Sequence, residues 1–248
     1  MKVKKLELIE KPLVRIHYDN GQVEIKTARP LLMQPWGVLA TLEGRKTQTR
    51  RIIVPQPIHK GNGIIEEPGT LKTALDWIEW KKKNYDEIED IMQYYPGDLF
   101  YIREPYFDWG YWRYTKYKKI WEGQKKYRYI EEEKYYPPNH NGKCIWRKRP
   151  SLHMPREAAR VWIILDRVRV ERVQDITEED AINEGAPWEA YNISGYDVFS
   201  WFQETWDSIN ANRKDKEGRI LPYSWKDNPF VWPLDYRLFF QGRGEVAA

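Results

Sequence analysis

Between Tyr106 and Trp146 the chain interleaves aromatic and basic side chains, among them Trp109, Tyr111, Trp112, Tyr117, Trp121, Tyr127 and Tyr129. Tyr and Trp stack on unpaired bases while Lys and Arg follow phosphates, each stack contributing about 1–3 kcal/mol. Residues 111–149 hold twelve basic side chains, including Lys116, Lys118 and Lys119, against four glutamates. That local surplus of eight positive charges lies in a chain whose net charge is only +4. The same segment has a purely structural reading. Residues 111–121 and 125–130 alternate well enough to form a β-hairpin around Gly123-Gln124, with aromatic cross-strand pairs on one face. The two readings are compatible, although the Glu131-Glu132-Glu133 run interrupts any continuous phosphate track.

A second cluster of reactive types is Arg45-Lys46-Thr47-Gln48-Thr49-Arg50-Arg51. An ammonium flanked by guanidiniums is disfavoured by like charge, so Lys46 is an amine that burial would bring into the range of a base. The alternative is an exposed strand start with a basic edge. Other chemistries lack support. The histidines His17, His59, His140 and His153 are far apart, and Cys144 is alone, so no metal or cofactor is implied and no disulfide can form. Ser151 and His153 do not make a triad. No carboxylate cluster reads as a magnesium site, which counts against a nuclease.

These groups need elements to carry them. Residues 13–27 alternate around Asp19-Asn20-Gly21 and predict a hairpin with a type I′ turn. Residues 31–42 predict a short helix closed by Gly44, followed by a strand over 46–54. Residues 55–69 read as a loop and 71–92 as a charged helix. Pro96-Gly97-Asp98 turns into the strand 99–102. The β-branched run 161–173 reads as a buried strand. Thr177 with Asp180 marks a capped helix that Gly185 ends. After a turn at Ser194-Gly195, Phe199, Phe202, Trp206 and Ile209 share a helical face. Asn228-Pro229 leads into a last strand over 230–240. Strands separated by isolated helices, without repeated βαβ units, predict an α+β domain. With 41% hydrophobic residues the 248-residue chain can build a real core. It has no apolar run near the bilayer-spanning length and no signal-peptide pattern, which predicts a cytoplasmic protein.

Several motifs, taken in order, resemble the ASCH family of the PUA-like superfamily, particularly its phage and prophage members. They are Leu42-Glu43-Gly44-Arg45-Lys46-Thr47-Gln48-Thr49-Arg50-Arg51, Pro96-Gly97-Asp98-Leu99-Phe100-Tyr101-Ile102-Arg103-Glu104 and Arg149-Pro150-Ser151-Leu152-His153-Met154-Pro155-Arg156. The stretch from Asp175 to Gly185, Trp206-Asp207-Ser208-Ile209-Asn210 and Asn228-Pro229-Phe230-Val231-Trp232 complete the set. The resemblance implies one domain over 1–248: a small β-barrel with flanking helices. An N-terminal hairpin (13–27) precedes a core of 31–54, 95–105, 149–185 and 198–240. Residues 55–94 and 106–148 are large insertions.

The resemblance also implies binding of a nucleoside, nucleotide or single-stranded nucleic acid such as RNA. Small bacterial ASCH proteins are amidohydrolases that convert N4-acetylcytidine to cytidine with a lysine, a threonine three residues on, and a distant glutamate. Lys46 and Thr49 match the first two, and Glu184 the third. Arg45, Arg51, Arg103, Glu104, Trp109 and Arg156 are the binding residues this expectation adds. Amide hydrolysis would use the Thr49 hydroxyl as nucleophile, Lys46 as base and a donor for the oxyanion, a role open to Arg51. Regular alternation would point Lys46 away from Thr49, so their convergence requires a bend near Gly44. Glu184 falls in the last turn of its helix, where the macrodipole disfavours an acid; either a function or a solvated surface carboxylate answers that. A module that binds RNA or modified bases without chemistry is the alternative.

Overall fold

The computed structural model describes residues 2–54, 56, 93–129, 145–187 and 197–242. The loop expected over 55–69, the helix over 71–92, the Ser194-Gly195 turn, Cys144, His59, His140 and the Glu131–Glu133 run lie outside these residues, except that Gln56 is described. The described chain is α+β: eleven strands and three α-helices. It divides into two compact units. The first comprises Met1–Leu42, Leu99–Ile164 and Leu238–Ala248, the second Glu43–Asp98 and Leu165–Arg237. No described helix is long and apolar enough to cross a membrane.

In the first unit, β1 (Val3–Leu8), β2 (Leu13–Tyr18) and β3 (Val23–Leu32) form an antiparallel meander. The β2–β3 hairpin forms where Asp19-Asn20-Gly21 predicts it, but not with a type I′ turn. Only Gly21 has a positive φ, +85°. The Asn20 side chain instead accepts from the Gln22 amide at 3.0 Å, bracing a wider loop. β3 then runs parallel to β5 (Leu99–Arg103), which pairs antiparallel with the first residues of β9 (Val161–Val168). Leu6, Val14, Ile16, Leu99, Tyr101 and Trp162 pack as one core. Residues 31–32 prolong β3, so helix α1 begins only at Pro35 and spans Pro35–Leu42. Proline is at ease at a helix start because its missing N–H would have had no partner there.

The same unit holds a separate three-stranded sheet, β7 (Lys119–Tyr129), β6 (Tyr106–Tyr114) and β8 (Ile145–Arg149), with β6 central. The hairpin expected in this segment exists, but it turns at Thr115–Lys118 rather than at Gly123-Gln124. Gly123 lies mid-ladder, directly opposite Gly110. A Cβ on Gly110 would collide with the Glu122 carbonyl oxygen and the Trp121 ring, so the close strand approach requires glycine there. Next to it the register shifts, and Lys125 adopts a φ of +52° in the resulting bulge.

In the second unit, β11 (Phe230–Gln241, to Arg237 here) pairs with β10 (Glu171–Arg172) and with β4 (Gln48–Ile52). Helix α2 (Glu178–Asn183) has the anticipated capping box: the Thr177 hydroxyl accepts from the Asp180 amide at 3.1 Å. Helix α3 (Val198–Asn210) buries Val198, Phe202, Trp206 and Asn210. Phe199 and Ile209, expected to share a face with Phe202 and Trp206, are exposed, because the buried i, i+4 stripe runs through Val198, Phe202, Trp206 and Asn210. Ile52, Ile176, Phe202, Trp206 and Val231 belong to the core between α2, α3 and the strands. In neither unit do the described strands close into a barrel.

Candidate functional site

Gly44, at a φ of +76°, ends the turn after α1 and releases the chain into β4. Strand partners Gln48 and Asp235, Arg50 and Pro233, Ile52 and Val231 are opposite one another in register. Because facing residues share a side, this is the side of β4 that meets α2 and α3. Ile52 and Val231 enter the apolar core, while Gln48 and Arg50 bring polar groups to it. Burying a guanidinium requires carboxylates to meet it, and here there are three. Arg50 donates to Glu171 through Nε at 3.1 Å and Nη2 at 2.6 Å, to Asp180 at 3.0 Å and to Glu184 at 3.2 Å. Its guanidinium also lies 5.6 Å from the Phe202 ring centroid.

Lys46 and Glu184 belong to this cluster. The Lys46 ammonium donates to Glu184 Oε2 at 2.6 Å and to the Glu184 main-chain carbonyl at 2.7 Å. Both residues are buried, 4% and 5% exposed. The exposed basic edge and the solvated surface carboxylate are therefore both overturned. An acid at the end of α2 is stable because two cations offset the unfavourable macrodipole. The second carboxylate oxygen takes Arg50, so Glu184 bridges the two. Burial pulls the Lys46 ammonium below its ordinary pKa, assisted by Arg51 and Arg50, while Glu184 pulls the other way. Arg169 adds a third cation, donating to Asp180 at 3.0 Å and lying 3.4 Å from Glu171. Gln48 links Asp180 at 2.9 Å to Asp235 at 2.6 Å. Lys46, Arg50 and Arg169 thus face Glu171, Asp180 and Glu184, and at the edge Asp235 lies 3.7 Å from Arg169 and pairs with Arg167, which keeps cations and carboxylates matched.

Thr49 is buried, 5% exposed, and faces Leu234 in register. Alternation along β4 sends Thr49 and Arg51 to the side opposite Gln48 and Arg50. No hydrogen bond among the described residues joins the Thr49 hydroxyl to Lys46 or Glu184. Two of the three expected residues are therefore in direct contact, and the third stands on the adjoining strand. Arg51 is partly buried, and burial lowers its guanidinium pKa. Arg45 is exposed, held by Glu43 at 2.8 Å and reaching the Gly185 carbonyl at 3.4 Å. A polar concavity of about 470 Å³ lies alongside, lined by Thr47, Gln48, Asp180, Asn183, Asp235 and Tyr236 among others. It shares Gln48, Arg169, Asp180 and Asp235 with the buried cluster, but Lys46, Thr49 and Glu184 do not line it.

The remaining binding candidates belong to the first unit. Arg156 is buried and donates to the carbonyls of Leu13 at 2.8 Å and Ile9 at 2.6 Å, fastening the meander. Glu104 is buried and accepts two bonds from Arg160, at 2.8 and 2.9 Å. Arg103 donates to the Leu152 carbonyl at 3.2 Å and lies over the Tyr101 ring. Trp109 packs on Trp146 at 5.0 Å between centroids. The contacts of Arg156 and Glu104 are those of structural residues. Sequence reasoning missed Asp180, Glu171 and Arg169 as members of the ion cluster. The available signal was β4 itself: polar residues at every position from 48 to 51, in a strand leading into Ile52-Ile53, demand charged partners elsewhere.

Comparison with protein-family models, with curated proteins and with solved structures finds no match for this chain.

Proposed function

We propose that the second unit binds a nucleobase-containing ligand and hydrolyses an N4-acylated cytosine-type amide, using Lys46, Glu184 and Thr49. The observation that carries this reading is the buried Lys46–Glu184 contact at 2.6 Å, with the ammonium pushed down by burial. A lysine in this state gives up its proton more readily than one in water, which is what a general base needs. Lys46 and Thr49 are not hydrogen-bonded in the structure, so the step requires substrate binding to bring them together; neutral Lys46 then takes the proton of the Thr49 hydroxyl as its oxygen attacks the acyl carbon. The exocyclic nitrogen leaves with that proton as the C–N bond breaks. Water, activated by the same amine, then releases the acyl group from Thr49. Glu184 holds the amine in place and offsets its charge whenever it is protonated. Lys46 precedes β4, so strand alternation constrains it less than it does Thr49. The resemblance to ASCH proteins supports the same reading and carries with it a PUA-like arrangement of the core.

The test is incubation with N4-acetylcytidine and chromatographic detection of cytidine. Turnover that falls at least 100-fold in both Lys46→Ala and Thr49→Ala is the expected result. Loss in Lys46→Ala alone would assign the attack to water and leave Thr49 without a covalent role. No turnover by the intact protein would remove the hydrolase reading.

A second reading, binding without chemistry, draws on the charge balance of the cluster. With both Glu184 oxygens taken and cations matching carboxylates, the network is stable as a scaffold. It predicts retention of a modified nucleoside with no product.

A further inference from the structure

The β6–β7–β8 sheet has no part in the hydrolase reading, and its exposed features are unusual for a structural hairpin. Tyr117 stands at the hairpin tip with 86% of its surface open to solvent. The tip is not loose. The Thr115 amide donates to the Lys118 carbonyl at 2.9 Å, and the Lys118 amide to the Thr115 hydroxyl at 3.1 Å. A tyrosine held outward on a braced turn gains nothing from burial; the Lys116 ammonium lies 5.6 Å from its ring centroid, and the remaining open surface of the ring can take another plane stacked on it. Lys116, Lys118 and Lys119 surround it, all exposed.

Farther along β7, the bulge turns Lys125 and Lys126 into solvent, and Lys125 holds a left-handed φ of +52° to do so. A lysine has no intrinsic preference for that conformation, which marks a strained position. Lysines on an edge strand also discourage sheet-to-sheet aggregation, but that duty does not explain an exposed tyrosine. Across the described part of the sheet and its turn, ten basic residues stand against Asp108 and Glu122. From Lys119 to Lys125 a strand covers about 20 Å, a length suited to a few nucleotides of single-stranded nucleic acid.

We propose that this sheet is a platform for single-stranded nucleic acid. Tyr117 stacks on an unpaired base, while Lys116, Lys118, Lys119, Lys125 and Lys126 follow the phosphates. The large aromatics behind them keep the platform stiff: Trp112 packs edge-on against Trp121 at 5.2 Å, and Arg147 and Lys119 lie over Trp112 at 4.7 and 4.4 Å. The tryptophans are half-buried and the residues around Tyr117 at the tip are lysines, so the described part of the tip offers charge rather than the apolar wedge that inserts into lipid. A polyanion with planar bases fits; a membrane does not.

The test uses the full chain and fluorescein-labelled 12-nucleotide RNA and DNA of the same sequence, single-stranded and as duplex, read by anisotropy from 50 to 300 mM salt. Single strands of either sugar should bind more tightly than duplex, and the RNA and DNA arms identify which sugar is preferred. The affinity should fall with salt at a log–log slope near −0.7 per phosphate engaged, about −3.5 for five lysines. The double substitution Lys125→Gln with Lys126→Gln should make that slope shallower by about 1.4. Tyr117→Ala should weaken binding about 5-fold or more with an unchanged slope, and Tyr117→Phe should restore it. Tyr117 touches no core residue, so Tyr117→Ala should leave the thermal midpoint and any N4-acetylcytidine turnover as they were. Absence of single-strand binding at 50 mM salt, affinity indifferent to Tyr117→Ala, or preferential binding to vesicles of phosphatidylserine would overturn the proposal.

Discussion

Arg50 is the residue on which the buried cluster depends, because among the described residues it alone contacts all three of Glu171, Asp180 and Glu184. Arg50→Met removes one cation and leaves three buried carboxylates with too few donors. The expected loss is about 3–5 kcal/mol of unfolding free energy, measured by urea denaturation. Asp180 sets the acid limit of the same cluster. Burial acts to raise its pKa, but donation from Gln48 and the charges of Arg50 and Arg169 prevail and bring it down to about 2. A folded-state pKa below the unfolded value stabilises the fold above the unfolded pKa, and that contribution is lost as pH falls through the folded one. Stability should therefore drop between about pH 4 and 2, and Asp180→Asn should flatten that part of the profile. Glu171 opposes it: burial outweighs Arg50 and Arg169 and raises its pKa, so its ionisation favours the unfolded chain as pH rises. At Lys46 the informative substitution is arginine. Lys46→Arg keeps the charge beside Glu184 but cannot lose it near neutrality. Turnover should fall to background while binding of the nucleoside survives, a loss in kcat more than in KM.

Short elements place these groups, and their local chemistry is what can be altered. Helix α2 has only six residues, and its start relies on Thr177. Thr177→Ala should cost about 1 kcal/mol, read as a lower urea midpoint, because Asp180 and Glu184 hang from that helix. In the β6–β7 hairpin, Gly110→Ala would drive a methyl group into the Glu122 carbonyl and the Trp121 ring. The strands must part, at about 1–3 kcal/mol, and near-UV circular dichroism from the Trp112–Trp121 pair should diminish. The turn itself illustrates how far local patterns carry. Gly123-Gln124 looks like a hairpin loop by residue type, yet the ladder runs through it. The aromatic pair Trp112–Trp121 forms only when the chain reverses at Thr115–Lys118 instead.

At the scale of the whole chain, the two proposed activities lie in different units and should respond to different variables. Nucleoside turnover depends on groups shielded from solvent and should change little between 50 and 300 mM salt. Oligonucleotide affinity depends on exposed lysines and should decline steeply over the same range. What the linear sequence determined is the set of local elements. The capped start of α2, the glycine turns at 21, 44 and 97, the β5 strand and the aromatic–basic segment were all legible, because propensity, caps and alternation act over a few residues. The tertiary structure decided which polar groups leave water. Lys46 and Glu184 are 138 positions apart, and their contact follows from β4 and α2 packing around one core. Nothing local distinguishes a lysine at a surface edge from one sealed against a carboxylate, since burial comes from neighbours supplied by distant parts of the chain.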